Sequence, residues 1–167
     1  MRDATFELIG ILFNLALWFS KHAAKIAIEM EQAVEVYKSL RNAAGLFEHI
    51  KKDLLGQVKG KVESGSDLDP CVLDVYILQS LAEAQEVTIA RAMELKHDPG
   101  IIAPLACETA TLYEKCRLGL QNIPESLVTK WRAYCIFKTA CFRAYVSYCI
   151  RLSLFTFSHS SISLSPL

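Results

Sequence analysis

Nothing in this chain is spaced to hold a metal. Its six cysteines, Cys71, Cys107, Cys116, Cys135, Cys141 and Cys149, form no C-x-x-C pair and no zinc-ligand pattern. At 167 residues the chain is also too long for a small disulfide scaffold. Reduced cysteines packed as small hydrophobes are the reading that remains, and it suits the cytosol. Neither charge is in excess: 18 Lys and Arg stand against 18 Asp and Glu. This balance removes the electrostatic reason to expect nucleic acid or a charged membrane as the main partner. Strand alternation is absent throughout, as is any turn-punctuated strand series.

A catalytic constellation is missing too. His22, His49, His97 and His159 are scattered, and His97 has only its chain neighbour Asp98 as an acid. Glu83, Glu86 and Glu108 are candidates for a carboxylate site, but no E-x-x-H pattern accompanies them. Glu86 is better read as satisfying buried polar groups. We therefore expect no enzyme, with no catalytic residue, cofactor or metal to assign.

What is present is apolar and helical. The 52% hydrophobic content is enough to fill a core. The stretch Leu81 to Ala106, LAEAQEVTIARAMELKHDPGIIAPLA, organises the rest. It reads as an alanine-rich helix, a short break and a second helix. Lys96 and His97 lie where a helix C-terminus favours positive charge. Asp98 is a good N-cap and Pro99 a good first helical residue. Two helices should meet here in a tight hairpin and share one surface.

The remaining elements follow from periodicity. A first helix is predicted over about Ala4 to Ala24. Thr5 to Phe19 within it is the most apolar window, but this window contains Glu7 and Asn14. It is shorter than the roughly 20 apolar residues a spanning helix needs. Lacking a cleavage site, it reads as a buried core helix rather than a signal or anchor. Being apolar nearly all round, it should be covered on both sides. A second helix runs from about Glu31 to Asp53, and a break near Ile26 to Met30 is only weakly marked. Leu54 to Leu68, with Gly56, Gly60 and Gly65, reads as a mobile surface linker. Asp69 and Pro70 open a third helix that continues to about Leu95. A fourth spans Pro99 to about Leu120, with Pro104 expected to bend or disturb it. A fifth follows Pro124. Trp18 and Trp131 read as core aromatics. The fold class is all-α: antiparallel helix hairpins stacked like a tetratricopeptide solenoid, though without a convincing 34-residue repeat.

Four blocks are more particular: Phe6 to Trp18 (FELIGILFNLALW), Ser39 to Lys51 (SLRNAAGLFEHIK), AEAQEVTIARAMELKHDPGIIAPLACETA, and Lys130 to Tyr145 (KWRAYCIFKTACFRAY). In this order and spacing they resemble the BRO-one domain, the boomerang-shaped helical domain of Alix and its relatives. The likeness covers about Phe6 to Cys149. It is closest to a member that pairs this domain with a lipidated C-terminus.

The resemblance implies a non-enzymatic adaptor. Such domains bind the amphipathic C-terminal helix of charged multivesicular body protein 4, a subunit of the ESCRT-III membrane-remodelling filament. Carried over by position, the partner-helix groove falls on Thr88, Ile101 and Leu105, with Arg91 beside it. Ile101 and Leu105 are four apart on one helix, while Thr88 and Arg91 are three apart on its neighbour. The pattern departs in places. Thr88 stands where Alix has an aromatic residue, and Met30 and Val34 stand where it has an acid and a lysine. Pro104 adjoins Leu105.

The resemblance also gives residues 1–149 as a partial BRO-one domain and 150–167 as a divergent, disordered tail. It implies an internal fragment without the lipid anchor and without a membrane span. The implied place is the cytoplasm, with endosomes or the nuclear envelope reached through ESCRT-III. The alternative is a truncated, non-binding structural helical fragment.

Overall fold

Two Asp-Pro steps set the geometry of the middle of the molecule. In the computed structural model, Asp69 accepts from the Cys71 N–H at 2.8 Å through Oδ1 and from the Gly65 N–H at 2.7 Å through Oδ2. This caps a helix over Pro70–Glu94. Asp98 accepts from the Gly100 N–H at 2.7 Å and caps the next helix, Pro99–Gly119. Each carboxylate satisfies an otherwise unpaired N–H of the first turn, and each proline fills a position that needs no donor.

The structure describes residues 4–27, 30–59 and 62–162, with the side chains of Met30 and residues 155–162 left out. Five α-helices cover most of this: α1 (Ala4–Ile26), α2 (Ala33–His49), α3 (Pro70–Glu94), α4 (Pro99–Gly119) and α5 (Glu125–Ile162). The described residues contain no strand, so the all-α expectation holds. Each helix packs on the next in the chain. The odd-numbered helices also meet one another. Phe13 of α1 and Phe47 of α2 close on Tyr76 of α3, with ring centroids 5.7 and 4.8 Å away, and Tyr76 lies 4.9 Å from Trp131 of α5. This aromatic column ties four helices together.

Small residues let the helices come close. A Cβ added at Gly119 would lie 2.9 Å from Cγ2 of the buried Val75. The α3–α4 approach therefore depends on a missing side chain.

Several expectations need correction. The linker is not a free loop at its ends. Its first residue, Leu54, is buried, closing a π-helical turn (Ile50–Leu54), and Leu55, Val58 and Leu68 pack on the α1–α3 core. The glycines break the helix, but the apolar residues around them still gain by burial. Helix α1 is buried on one side only. Ile9, Phe13, Ala16 and Ala23 face the core, whereas Trp18 is 54% exposed on the far side and is not a core residue. By length and composition alone α1 is long and apolar enough to cross a membrane. Helix α4 runs through Pro104 unbroken. The proline and Gly100, four residues back, are both exposed, so the carbonyl that loses its N–H partner is on the solvent side of the helix. Helix α5 runs past Ile150 to Ile162. No glycine or proline interrupts it, and buried Cys149 anchors it against α4. Residues 163–167 lie outside the described residues.

Candidate partner-helix interface

Helix α3 ends in a left-handed residue. Lys96 has φ 55°, and the N–H groups of Lys96 and His97 reach back to the carbonyls of Met93 and Ala92, each at 3.0 Å. This closes the α3 C-terminus in the manner usually served by glycine. The chain reverses within three residues and α4 begins.

The reversal sorts α3 into sectors. Ala84 and Val87 pack with α1 and α2. Ile89 and Ala92 pack with α4 and α5, and Gln85 Nε2 donates to the Leu105 carbonyl at 3.2 Å. At about 100° per residue, Thr88 falls between these sectors, and Arg91 falls on the side of Ala84 and Val87. Both are exposed. The Thr88 hydroxyl donates back to the Ala84 carbonyl at 3.3 Å. Arg91 pairs with Glu94 at 2.5 Å, with both side chains nearly half exposed.

Across the hairpin, Ile101 is 62% exposed. Leu105, one turn on, is half-buried and packs against the cluster of Ile89, Ile102 and Ala106. Thus Leu105 lies deeper than Ile101 on one apolar strip of α4. Val34, at the start of α2, is 65% exposed, while the Met30 side chain lies outside the described residues. Leu95, 55% exposed, falls seven residues beyond Thr88 on the same edge of α3. The sequence pattern did not single it out, although its i, i+7 spacing from Thr88 was the available signal.

The opposite sector of α3 carries the two carboxylates noted from sequence, and they are engaged. Glu83 accepts from Gln79 Nε2 at 2.7 Å and from the Tyr134 hydroxyl at 3.1 Å. Gln79 in turn accepts from Trp131 Nε1 at 2.5 Å. Glu86 accepts from the Tyr113 hydroxyl and, at 2.6 Å, from Lys138 Nζ. That ammonium also sits 5.8 and 5.6 Å from the ring centroids of Tyr113 and Tyr134. Burial pushes the Glu83 carboxyl above the ordinary carboxylate range, against the hydrogen bonds from Gln79 and Tyr134. Burial and the two neighbouring carboxylates hold the Tyr113 phenol neutral. Glu108 stays exposed on α4. The network ties α3 to α4 and α5 and leaves its polar groups occupied. Of the cysteines, Cys116, Cys135 and Cys149 are buried among apolar neighbours, and all six are free thiols.

Two cavities lie elsewhere. One of about 620 Å³ sits between α1 and the segment from Val58 to Leu68. The other, about 390 Å³, lies between α3 and α5 and is lined by Glu86, Ile89, Met93, Phe142 and Tyr145 among others.

Residues 1–155 match the BRO1-like domain family. BRO1 domain-containing protein BROX of Xenopus tropicalis is 47% identical over 152 residues, which cover 89% of this chain and 37% of that protein. The BROX homolog of Caenorhabditis elegans is 40% identical over 148 residues, covering 86% of this chain and 34% of that protein. Vacuolar protein-sorting protein BRO1 of Gibberella zeae is 30% identical over 127 residues, covering 75% of this chain and 12% of that protein. The chain thus spans about 37% of the length of the vertebrate relatives it matches.

Proposed function

The chain belongs to the BRO1-like domain family, and on that premise we propose that it is an adaptor module of endosomal sorting that docks a partner helix on its α3–α4 face. The partner is the amphipathic C-terminal helix of charged multivesicular body protein 4, in the ESCRT-III filament. The observation that carries this reading is Ile101, a large aliphatic side chain left 62% exposed beside half-buried Leu105. Two apolar residues four apart on a rigid helix match the anchor spacing of a helix laid across them. Arg91 supports the reading. Its exposed pair with Glu94 contributes little, so it can turn to a carboxylate on the incoming helix. The fungal relative's name, a vacuolar protein-sorting protein, is consistent with this role. So is a cytoplasmic protein recruited to endosomes or the nuclear envelope. The interface has no catalytic work to do, which fits a binding module rather than an enzyme.

Thr88 supplies less apolar area than an aromatic residue would, so the affinity should be modest. The test is fluorescence anisotropy with a labelled C-terminal peptide of charged multivesicular body protein 4. Ile101→Asp puts a charge on the strip without touching the core, and binding should weaken by about tenfold or more. Leu105→Asp should do the same at some cost in stability. Affinity unchanged in Ile101→Asp would remove this face from the interface. An absence of binding by the folded chain would leave a structural helical piece as the better reading.

A further inference from the structure

Toward their turn, α3 and α4 meet through an apolar cluster of Ile89, Ala92, Ile102, Ala103 and Ala106. Such contact holds two helices together but is non-directional, so it sets their distance better than their register. A directional tie crosses the same stretch. Gln85 Nε2 donates to the Leu105 carbonyl at 3.2 Å. That carbonyl also accepts from the hydroxyl of buried Thr109 at 2.8 Å. Among the described residues, the next polar link between the two helices runs from the Tyr113 hydroxyl to Glu86, about two turns further along α4.

The tie sits where α4 is weakest. Pro104 has no N–H, so the ladder bond to the Gly100 carbonyl is missing in the turn that carries Ile101. Leu105 is the first residue after that gap. On α3, half-buried Gln85 stands three residues before exposed Thr88, about 60° round the helix from it. Both ends of the bond lie within the hairpin itself.

We propose that Gln85 is a positioning residue for the docked helix: its amide fixes the height of Leu105, and through it Ile101, relative to Thr88. This rests on the α3–α4 docking reading above. A helix laid on Ile101 and Leu105 meets α3 as well, so the anchors serve it at one height only. A slip of about 1.5 Å, the rise of one residue, would move them off that height. Gln85 acts through the backbone of Leu105 rather than by touching the partner.

Fluorescence anisotropy on the full 167-residue chain, with the labelled peptide that tests the docking face, also tests this. Gln85→Leu keeps the side-chain volume and removes the donor. Gln85→Glu keeps the shape and turns an acceptor toward the carbonyl, and it decides should Gln85→Leu fail to fold. Each should weaken peptide binding by about fivefold, the worth of roughly one net hydrogen bond, under conditions where circular dichroism shows the fold intact. Coupling is the readout that a merely stabilising role would not move. In an Ile101→Ala background either change should cost less than about twofold, because the anchor that Gln85 places is already gone. Wild-type chain that binds the peptide, with both variants within about twofold of it, would overturn the positioning role and leave the docking face standing. So would an undiminished loss in the Ile101→Ala background, which would make Gln85 a direct contact. A wild-type chain that binds no peptide would reject the docking reading, and the positioning role with it.

Discussion

Two edges of one helix behave in opposite ways. On one edge of α3, Glu83 and Glu86 are fully engaged by Gln79, Tyr113, Tyr134 and Lys138. On the other, Thr88 and Arg91 lie exposed, and across the hairpin Ile101 is exposed as well. The first edge has its polar groups satisfied within the chain, so its carboxylates are structural. The second has apolar area that its own fold leaves uncovered. Carboxylates draw the eye in a sequence, but what marks the proposed docking surface is unfilled contact, not unusual charge.

The largest expected effect breaks the comparison if it fails. Glu86→Ala strands the Lys138 ammonium, whose side chain is only 22% exposed, and leaves the Tyr113 hydroxyl without its acceptor. Urea denaturation should show a loss of about 3 kcal/mol. Thr88→Ala, about half a turn away on the same helix, should change stability by less than about 0.5 kcal/mol. Comparable losses at both positions would mean that the two edges are not distinct.

A smaller effect sharpens the outer edge. Thr88→Phe adds apolar area next to Ile101 and Leu105, and should tighten the peptide complex by about fivefold, as expected for partial burial of a ring. An unchanged affinity would place Thr88 outside the contact.

The smallest concerns pH and belongs to the inner edge. The folded-state pKa of Glu83 is raised, chiefly by burial. A raised pKa makes a contribution that is fully present below the unfolded value, about 4.3, and is lost as pH rises through the folded one. Wild type should therefore gain stability relative to Glu83→Gln as pH falls from neutrality towards that value. Parallel thermal melts of the two proteins at several pH values would show this. A constant difference between them would place Glu83 in contact with solvent.

How legible all this was depended on the kind of signal. Asp69-Pro70 and Asp98-Pro99 marked two helix starts because capping is local chemistry. The left-handed Lys96 was not readable, because nothing in its side chain requires a positive φ. The linker was misjudged because its glycines announce a break while Leu54 and Leu68 quietly pack. Trp18 was misplaced because periodicity shows that a face is apolar but not whether anything covers it. Ile101 posed the same difficulty: an apolar helix residue is ordinarily buried, and only the resemblance of the surrounding blocks set it apart. Glu83 and Glu86 were visible, but their partners Tyr113, Tyr134 and Lys138 are far away in sequence and met only in the fold.

The most direct test of the docking surface is methyl-labelled NMR during titration with the charged multivesicular body protein 4 peptide. The methyl signals of Ile101 and Leu105 should shift, while those of Ile89 and Met93, which line the α3–α5 cavity, stay still. Shifts centred on Ile89 and Met93, with Ile101 unmoved, would contradict the account.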